Sequence, residues 1–356
     1  MKGISRRGFL AHSVLAGLMG FVLPTGSFAE KKKTLAWRNW SGNLLSNPST
    51  RFSPRNELEL VEFLQQSSGS LRTVGSGHSF SPLVPTDGDL VIIDQLSGLQ
   101  GHDRSALTAT WGAGTRLGDT GPLLDSIGQA MINLPDIDRQ TIAGSTATST
   151  HGTGLKFPSL SGFVKEIRMV SVEGEIIDVN AENDVDLFNA ARVSLGALGI
   201  ITSMKLQNRE PYRLKAVNAC EPIEQVLERF DESAQSHRHY EMFPLTHSDY
   251  ALTLAIDETD EPINNPPPSP EEAALFASAM SGWAKVSPAL RKPLVDGVAA
   301  MIGESQAIDV SYKILSNIRN NRFNEMEYSV PLDAGAPCLR EIVKTIIDQE
   351  IDVVFP

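Results

Sequence analysis

The protein has 356 residues, and 31 lysines and arginines stand against 43 aspartates and glutamates, a formal net charge of −12 at pH 7. Hydrophobic residues make up 41% and charged residues 21%, which fits a folded globular protein and excludes a disordered chain. Because the basic residues gather in no stripe, nucleic acid is not expected as a partner. The length favours two domains.

The N-terminal 29 residues have the form of an export signal. Lys2, Arg6 and Arg7 precede a mostly apolar run over 8–23, and small residues follow at 27–29. This run is shorter than the roughly 20 apolar residues that span a bilayer, so a cleaved signal is preferred to a stable membrane anchor. The sequence SRRGFL also resembles a twin-arginine signal, whose cargo crosses the membrane folded. We therefore expect export through the Tat machinery to the periplasm or the medium.

The elements that follow predict an α+β domain ending near residue 211. Apolar residues at helical spacing predict a helix over 54–66, and a strand over 71–74 runs into a glycine loop. Further predicted strands cover 90–93, 107–111, 164–172, 176–179 and 200–206, with a hairpin turn at 173–174, and further predicted helices cover 122–127 and 184–191. The small, hydroxyl-rich run over 142–154 favours neither a helix nor a core strand.

The second half of the chain also mixes helices with strands. Helices are predicted over 222–236, 271–285, 288–302 and 337–349, and strands over 240–243, 250–256, 327–330 and 351–355. Cys220 and Cys338 are the only cysteines in the sequence, and nothing in it places them side by side. A disulfide and two free thiols therefore both stay open.

Two glycine-containing loops carry the signal for a ligand. The loop over 75–81 follows a strand, and its glycines let backbone N–H groups approach a phosphate. It is not the G-x-G-x-x-G fingerprint, because Phe80 takes the place of the third glycine. The loop over 144–154 supplies the backbone and hydroxyl donors that a pyrophosphate needs. Each loop alone also suits an ordinary turn, but the pair favours a buried dinucleotide.

Three segments in order closely resemble a known family: VGSGHSFS at 74–81, IAGSTATSTHGTG at 142–154 and SLGALGIIT at 194–202. They resemble the vanillyl-alcohol-oxidase-type (PCMH-type) FAD-binding domain, and more narrowly its aldonolactone oxidase and alditol oxidase branch, which includes D-arabinono-1,4-lactone oxidases. With 1–29 as the signal peptide, the resemblance implies a two-domain α+β fold. The FAD-binding domain would cover 30–210, and a substrate-binding domain would cover 211–356.

The resemblance also implies the residues that bind FAD. They lie in the three segments or directly beside them: Val74, Gly75, Ser76, Gly77, His78, Ser79, Thr141, Gly144, Ser145, Thr148, Thr150, His151, Gly152, Gly199 and Ile200. In the family, the histidine at the position of His78 is the usual site of a covalent bond to the flavin 8α-methyl carbon. We expect that bond here, with noncovalent FAD as the alternative. His151 is expected to orient its loop by hydrogen bonding rather than to transfer protons.

Three further histidines, His237, His239 and His247, raise the question of a metal site. Their spacings have no carboxylate partner at a recognised offset, so no metal is expected.

The implied activity is oxidation of a CH–OH group of a sugar lactone or alditol by hydride transfer to flavin N5, with reoxidation by O₂ or a respiratory carrier. The export signal disfavours an enolpyruvyl reductase of the same fold, and a cofactor-free sugar-binding protein is least favoured.

The family's substrate-binding motifs, Glu-x-Arg and His-Trp-Gly-Lys, do not occur in this sequence. The residues over 351–355 resemble the strand that precedes Glu-x-Arg in the family, and the sequence ends at Pro356. The resemblance therefore implies that the family's Glu-x-Arg and Lys would lie beyond Pro356. Catalytic residues are not assigned, and the substrate domain is expected to be incomplete at its C-terminal end. A catalytically inactive flavin-binding remnant is the alternative.

Overall fold

The computed structural model describes residues 36–246, 248–265, 286–317 and 322–351. The predicted signal peptide, the predicted helix over 271–285 and His247 lie outside the described residues. Of the strand predicted over 351–355, only Ile351 is described, and it has no regular structure. Pro356, beyond which the family's Glu-x-Arg and Lys are expected, also lies outside the described residues.

The described chain is a mixture of short helices and strands. The strands are β1 (Trp37–Arg38), β2 (Leu45–Ser46), β3 (Thr50–Phe52), β4 (Leu71–Val74), β5 (Asp89–Ile92), β6 (Leu99–Asp103), β7 (Thr108–Gly112), β8 (Ala130–Met131), β9 (Val164–Val170), β10 (Ile176–Asn180), β11 (Ile200–Arg209), β12 (Arg213–Pro222), β13 (His239–Pro244), β14 (Tyr250–Glu258) and β15 (Ser305–Val310). The helices are α1 (Glu57–Gln66), α2 (Leu117–Ser126), α3 (Ile142–Ala147), α4 (Val185–Arg192), α5 (Ile223–Ser236), α6 (Pro288–Ala299), α7 (Ser311–Leu315) and α8 (Gly335–Asp348), with 3₁₀ turns at Leu160–Phe163 and Leu332–Ala334.

An antiparallel sheet forms the centre of the first half, in the order β10-β9-β11-β7-β6, with β8 paired to β11. Its middle strand β11 is buried at seven of its ten positions, because strands pair with both of its edges. Trp111, Ile167 and Met204 are almost fully buried and anchor the main core. Gly174, at φ +84°, makes the predicted hairpin between β9 and β10.

A small parallel sheet, in the order β3-β5-β4, lies earlier in the chain. Parallel strands need a crossover connection, and α1 provides it between β3 and β4, which lie on either side of β5. The helix starts at Asn56, whose side chain accepts a hydrogen bond from the Glu59 N–H. Leu60 and Leu64 form its buried face. This arrangement fixes the end of β4, where the first glycine loop begins.

The second half contains a four-stranded antiparallel sheet, in the order β13-β14-β12-β15. Leu214, Ala216 and Ile256 from this sheet belong to the same core cluster as Trp111. Tyr212 donates its hydroxyl proton to the Ile132 carbonyl at 3.0 Å, and the Arg238 guanidinium donates to the same oxygen at 2.8 Å. These bonds attach the sheet to the chain before α3.

Two local predictions were wrong. The run over 142–154 includes the helix α3 at its start. Residues 327–330, predicted as a strand, have no regular structure, and within the described ranges no strand pairs with them.

Cys220 and Cys338 are both free thiols. Within the described part of the chain, no helix has the length and apolar character to cross a membrane.

Candidate flavin site

The first glycine loop begins directly after β4, where the buried Val74 ends the strand. A Cβ on Gly75 would lie 2.1 Å from Thr141 Oγ1, so the position accepts only glycine while Thr141 keeps its place. Gly77 has φ +67°, a backbone conformation that L side chains rarely adopt, and the Trp37 ring lies 3.4 Å from its Cβ position. Both glycines therefore serve close backbone approach.

The second loop opens with α3, which was not predicted from the sequence. Thr141 caps the helix, since its Oγ1 accepts a hydrogen bond from the Gly144 N–H at 3.2 Å. The hydroxyls of Ser145 and Thr146 donate to the Ile142 carbonyl at 2.9 and 3.0 Å. These bonds satisfy the small polar side chains inside the helix, and this explains why a run of poor helix formers folds as a short helix.

The third segment of the candidate site is the turn before β11. Leu195, at φ +52°, donates its backbone N–H to the Ala147 carbonyl at 3.2 Å, which ties the turn to the end of α3. A Cβ on Gly199 would meet the Val170 carbonyl oxygen at 2.7 Å. The glycine therefore lets the chain pass close over β9 as it enters β11.

A cavity of about 410 Å³ lies between these three segments, and residues 325–327 from the second half of the chain complete its wall. Most residues predicted to bind FAD line this cavity: Val74, Gly75, Ser76, Gly77, His78, Ser79, Thr141, Gly144, Thr148 and Gly199. The other five are not among the residues that line it. Ser145 and Ile200 are buried in α3 and β11, and Thr150, His151 and Gly152 follow α3.

Ser76 gives a direct test of whether the cavity suits a dinucleotide. Its hydroxyl is buried and has no hydrogen-bond partner within the described ranges. Such a group costs about 1–3 kcal/mol when it stays unsatisfied, so an acceptor oxygen in the cavity would relieve that cost. The guanidinium-bearing Arg72 also lines the cavity and supplies positive charge. The residues present therefore fit an anionic, oxygen-rich ligand such as the pyrophosphate of FAD.

His78 lies in the wall of the cavity with one face covered by an indole. The ring centroids of Trp40 and His78 are 4.7 Å apart, and the rings are stacked at an interplanar angle of 20°. Burial, followed by the positive charges of Arg116 and Arg139, lowers the pKa of His78 to about 4. The imidazole is therefore neutral at physiological pH and keeps a nucleophilic nitrogen.

His151 connects the second loop to the second half of the chain. Its Nδ1 lies 2.9 Å from the Gly152 carbonyl oxygen, and its Nε2 lies 2.8 Å from Glu327 Oε1. The bond with the Gly152 carbonyl raises the pKa of His151 most, partial burial opposes that change, and Glu327 raises the pKa further. This placement supports the predicted loop-orienting role.

Among the described residues, no group of three or more His, Cys, Asp or Glu side chains is placed to hold a metal ion. His237 pairs with Asp257 at 2.6 Å. His239 is 1% exposed, donates from Nδ1 to the Thr153 carbonyl at 2.8 Å and stacks on Phe157. The pair of His237 with Asp257 links the chain before β13 to β14. The two contacts of His239 hold β13 against Thr153 and Phe157.

Sequence reasoning missed Trp40, Arg72 and the segment 325–327. No local sequence pattern links Trp40 to His78. Glu327 lies 176 positions from His151 in sequence. Only the folded chain brings these residues together.

No catalytic residue is assigned among the described residues, and the cavity is a candidate cofactor site.

Two family models match the chain. An FAD binding domain matches residues 48–180, and D-arabinono-1,4-lactone oxidase matches residues 204–356. An L-gulono-1,4-lactone dehydrogenase from Mycobacterium tuberculosis is 32% identical over 335 residues, which cover 90% of this chain and 76% of that protein. The chain belongs to the FAD-dependent sugar-lactone oxidoreductase family.

Other relatives of this family match over shorter stretches. L-gulonolactone oxidase from Mus musculus is 27% identical over 64% of this chain and 53% of its own length. D-arabinono-1,4-lactone oxidase from Saccharomyces cerevisiae is 31% identical over 56% of this chain and 39% of its own length. The chain therefore spans about half or less of these two relatives.

The fold is shared with a solved flavoenzyme. Cholesterol oxidase from Brevibacterium sterolicum superposes with a TM-score of 0.61 at 17% identity, over 77% of this chain and 60% of that one. This likeness confirms the predicted two-domain α+β fold of the PCMH type. It carries no information about the substrate.

Proposed function

We propose that this protein oxidises a CH–OH group of a sugar lactone with FAD as its cofactor, and that the FAD is bonded to His78. FAD binding is assigned to residues 30–210 and substrate binding to residues 211–356. The observation that carries the proposal is the cavity between the two glycine loops. It combines an unpartnered buried hydroxyl on Ser76 with a neutral imidazole on His78.

The chain's own residues have separable tasks in this proposal. The loops around Gly75 and Gly144 hold the pyrophosphate through backbone N–H groups and hydroxyls, and Arg72 adds charge. When bound, the flavin supplies the acceptor for the hydride that leaves the substrate carbon. The residues over 325–327, from the second half of the chain, contribute the remaining side of the cavity wall.

Formation of the covalent bond to His78 would be a two-electron oxidation. An N–C bond between an imidazole nitrogen of His78 and the flavin 8α carbon would replace one N–H bond and one C–H bond. The two protons and two electrons released would pass to O₂, giving hydrogen peroxide. A neutral imidazole is required for the nitrogen to act as the nucleophile, and the lowered pKa of His78 meets that requirement.

Flavin fluorescence in a denaturing gel tests the cofactor and the bond together. The wild-type protein and His78→Ala are expressed with FAD available, and the exposed His102→Ala serves as a matched histidine control. A fluorescent band in the wild type and the control, but not in His78→Ala, supports the bond. A wild-type protein that is yellow when native but dark in the gel keeps FAD and rejects the bond. A colourless native protein rejects the proposal.

Substrate and electron acceptor are tested on the same preparation. Bleaching of the flavin absorbance by L-gulono- or D-arabinono-1,4-lactone, but not by an open-chain alditol, supports the lactone assignment. Reoxidation of the reduced protein by O₂, compared with a soluble quinone, then separates an oxidase from a dehydrogenase. A flavin that no lactone reduces contradicts the proposed activity while leaving FAD binding intact.

The proposal includes export through the twin-arginine route, which lets the protein collect FAD before it crosses the membrane. The support is the sequence of the leader, where Arg6 and Arg7 precede the apolar run. Replacement of both arginines by lysine keeps the charge and should hold the protein in the cytoplasm. Equal amounts of the wild type and this double variant in the periplasmic fraction would contradict the route.

A further inference from the structure

A short N-terminal segment, residues 39–43, holds the backbone on both sides of His78. Trp40 donates its backbone N–H to the Gly77 carbonyl at 2.8 Å. The Asn39 amide donates to the Ser79 carbonyl at 3.0 Å, and Asn39 itself is 3% exposed. The backbone that carries His78 is therefore fixed by a segment that lies outside the glycine motif.

The side chain of His78 is held differently from its backbone. Among the described residues, no hydrogen bond holds either of its ring nitrogens, and the stacked Trp40 indole covers one face of the ring. Phe323 packs edge-on against Trp40 with ring centroids 5.3 Å apart, and Phe80 approaches at 6.4 Å. The indole is thus supported by aromatic rings from both halves of the chain.

From these contacts we propose that Trp40 is a positioning residue for His78: the indole fixes the plane of the imidazole so that a ring nitrogen faces the flavin cavity. The inference deepens the proposed function and rests on the bond at His78. Stacking leaves the nitrogen lone pair free, because that lone pair lies in the ring plane and points out from the ring edge. A hydrogen bond to the same nitrogen would instead occupy the pair that has to form the N–C bond.

The predicted size of the effect follows from the strength of an aromatic pair. Loss of the stack is expected to slow covalent attachment about three- to tenfold, which corresponds to the strength of aromatic pairs in proteins. Retention of an aromatic face should retain most of the rate. Trp40→Phe and Trp40→Leu separate these cases, because both shorten the side chain but only phenylalanine can stack on His78.

The experiment follows covalent attachment after FAD is added to full-length protein from flavin-depleted cells. Gel fluorescence reports bonded flavin, and absorbance of the native protein reports total flavin. We expect Trp40→Leu to slow attachment about three- to tenfold with total flavin unchanged, and Trp40→Phe to remain close to the wild type. Phe52→Leu, which removes a stacked pair with Phe63 elsewhere, is the control. Wild-type attachment in Trp40→Leu, or equal slowing in both Trp40 variants, overturns the proposal.

A second measurement keeps Trp40 testable if the wild type holds FAD without a bond, the result that rejects covalent attachment itself. In flavin-free protein with ¹³C-labelled histidine, the ring C–H signals of His78 are assigned by their absence in His78→Gln. Stacking on an indole shifts these signals upfield. An upfield shift in the wild type that disappears in Trp40→Leu supports the positioning role, and unshifted wild-type signals overturn it.

Discussion

His151 lies between two hydrogen-bond acceptors, since its Nδ1 faces the Gly152 carbonyl and its Nε2 is 2.8 Å from Glu327 Oε1. Neither a carbonyl nor a carboxylate can donate, so both ring nitrogens must carry protons for both bonds to form. When His151 is protonated, the contact is an imidazolium–carboxylate pair, and the raised pKa of His151 favours that form. It joins the loop over 144–154 to the segment over 325–327 in the cavity wall.

The first prediction concerns the pH dependence of this contact. The pKa of His151 is raised in the folded protein, so its stabilising contribution is present below the unfolded pKa and is lost as pH rises through the folded value. Hydrogen exchange of residues 322–331, corrected for intrinsic rates, should become faster as pH rises from about 6 to values above the raised pKa of His151. Because both side chains are largely exposed, global stability should change by less than about 1 kcal/mol.

Glu327→Gln should remove that pH dependence, because an amide cannot form the ion pair. Exchange in 322–331 should then be fast across this pH range, while the exposed Glu182→Gln keeps the wild-type profile. Identical profiles for the wild type and Glu327→Gln would show that the pair does not hold the segment.

The second prediction concerns the close contact at Gly75. Gly75→Ala places a methyl group 2.1 Å from Thr141 Oγ1, and relief of that overlap requires one loop to move. We expect a loss of about 1–3 kcal/mol in unfolding free energy and weaker FAD binding. Fluorescence titration with FAD and urea unfolding measure the two effects.

A double variant makes this prediction specific. Thr141→Ala removes the blocking oxygen, so Gly75→Ala should lower the unfolding free energy by less in that background than in the wild type. Thr141→Ala alone should lower it by roughly 1 kcal/mol, because α3 loses its N-terminal cap. Gly101→Ala is the control, because a Cβ there meets no atom within 4 Å. Additive effects of Gly75→Ala and Thr141→Ala would contradict the contact.

The parts of the site that are local in sequence could be predicted from sequence. The strand over 71–74 and the loop after it were found because a short apolar run ends at glycines, and the hairpin at Gly174 follows the same logic. The helix α3 was missed because serine and threonine are poor helix formers in isolation. In the fold their hydroxyls bond within the helix, and burial of Ile142 and Ala143 stabilises it.

The parts that depend on distant contacts could not be predicted. The apolar and aromatic residues over 327–330 suggested a strand, but a strand exists only beside a hydrogen-bonded neighbour, and none pairs with it within the described ranges. The stack of Trp40 on His78 and the pair of His151 with Glu327 also join residues that are far apart in sequence, and no helical or strand repeat relates their positions. Tertiary packing determines them.

The third prediction concerns the pH dependence of covalent attachment. Because the pKa of His78 is lowered to about 4, its imidazole stays neutral down to about pH 5. The attachment rate should therefore change less than about twofold between about pH 7.5 and about pH 5.5. An imidazole with an ordinary pKa near 6.5 would lose about tenfold over the same interval. A tenfold fall in the initial rate of gel fluorescence would contradict the burial of His78.

The fourth prediction concerns acid stability, which His239 should limit. The ring is 1% exposed and donates from Nδ1 to the Thr153 carbonyl, while Nε2 is buried without a partner among the described residues. Burial lowers the pKa of His239 to about 4. The unfolded chain, with an ordinary pKa near 6.5, binds a proton that the folded chain does not bind, so stability falls as pH decreases from about 6.5 to about 4. His239 alone should account for about 2 kcal/mol between about pH 7 and about pH 5.

His239→Leu separates this titration from the packing of the ring. The variant should be less stable at pH 7, because it loses the bond to Thr153 and the stack on Phe157. Its urea midpoint should nevertheless fall less between pH 7 and pH 5 than that of the wild type. His102→Leu, at an exposed position, should keep the wild-type slope. If His239→Leu keeps the full slope as well, the acid sensitivity belongs to other groups. The imidazole of His239 would then accept its proton without breaking the contact between β13 and the loop over 144–154.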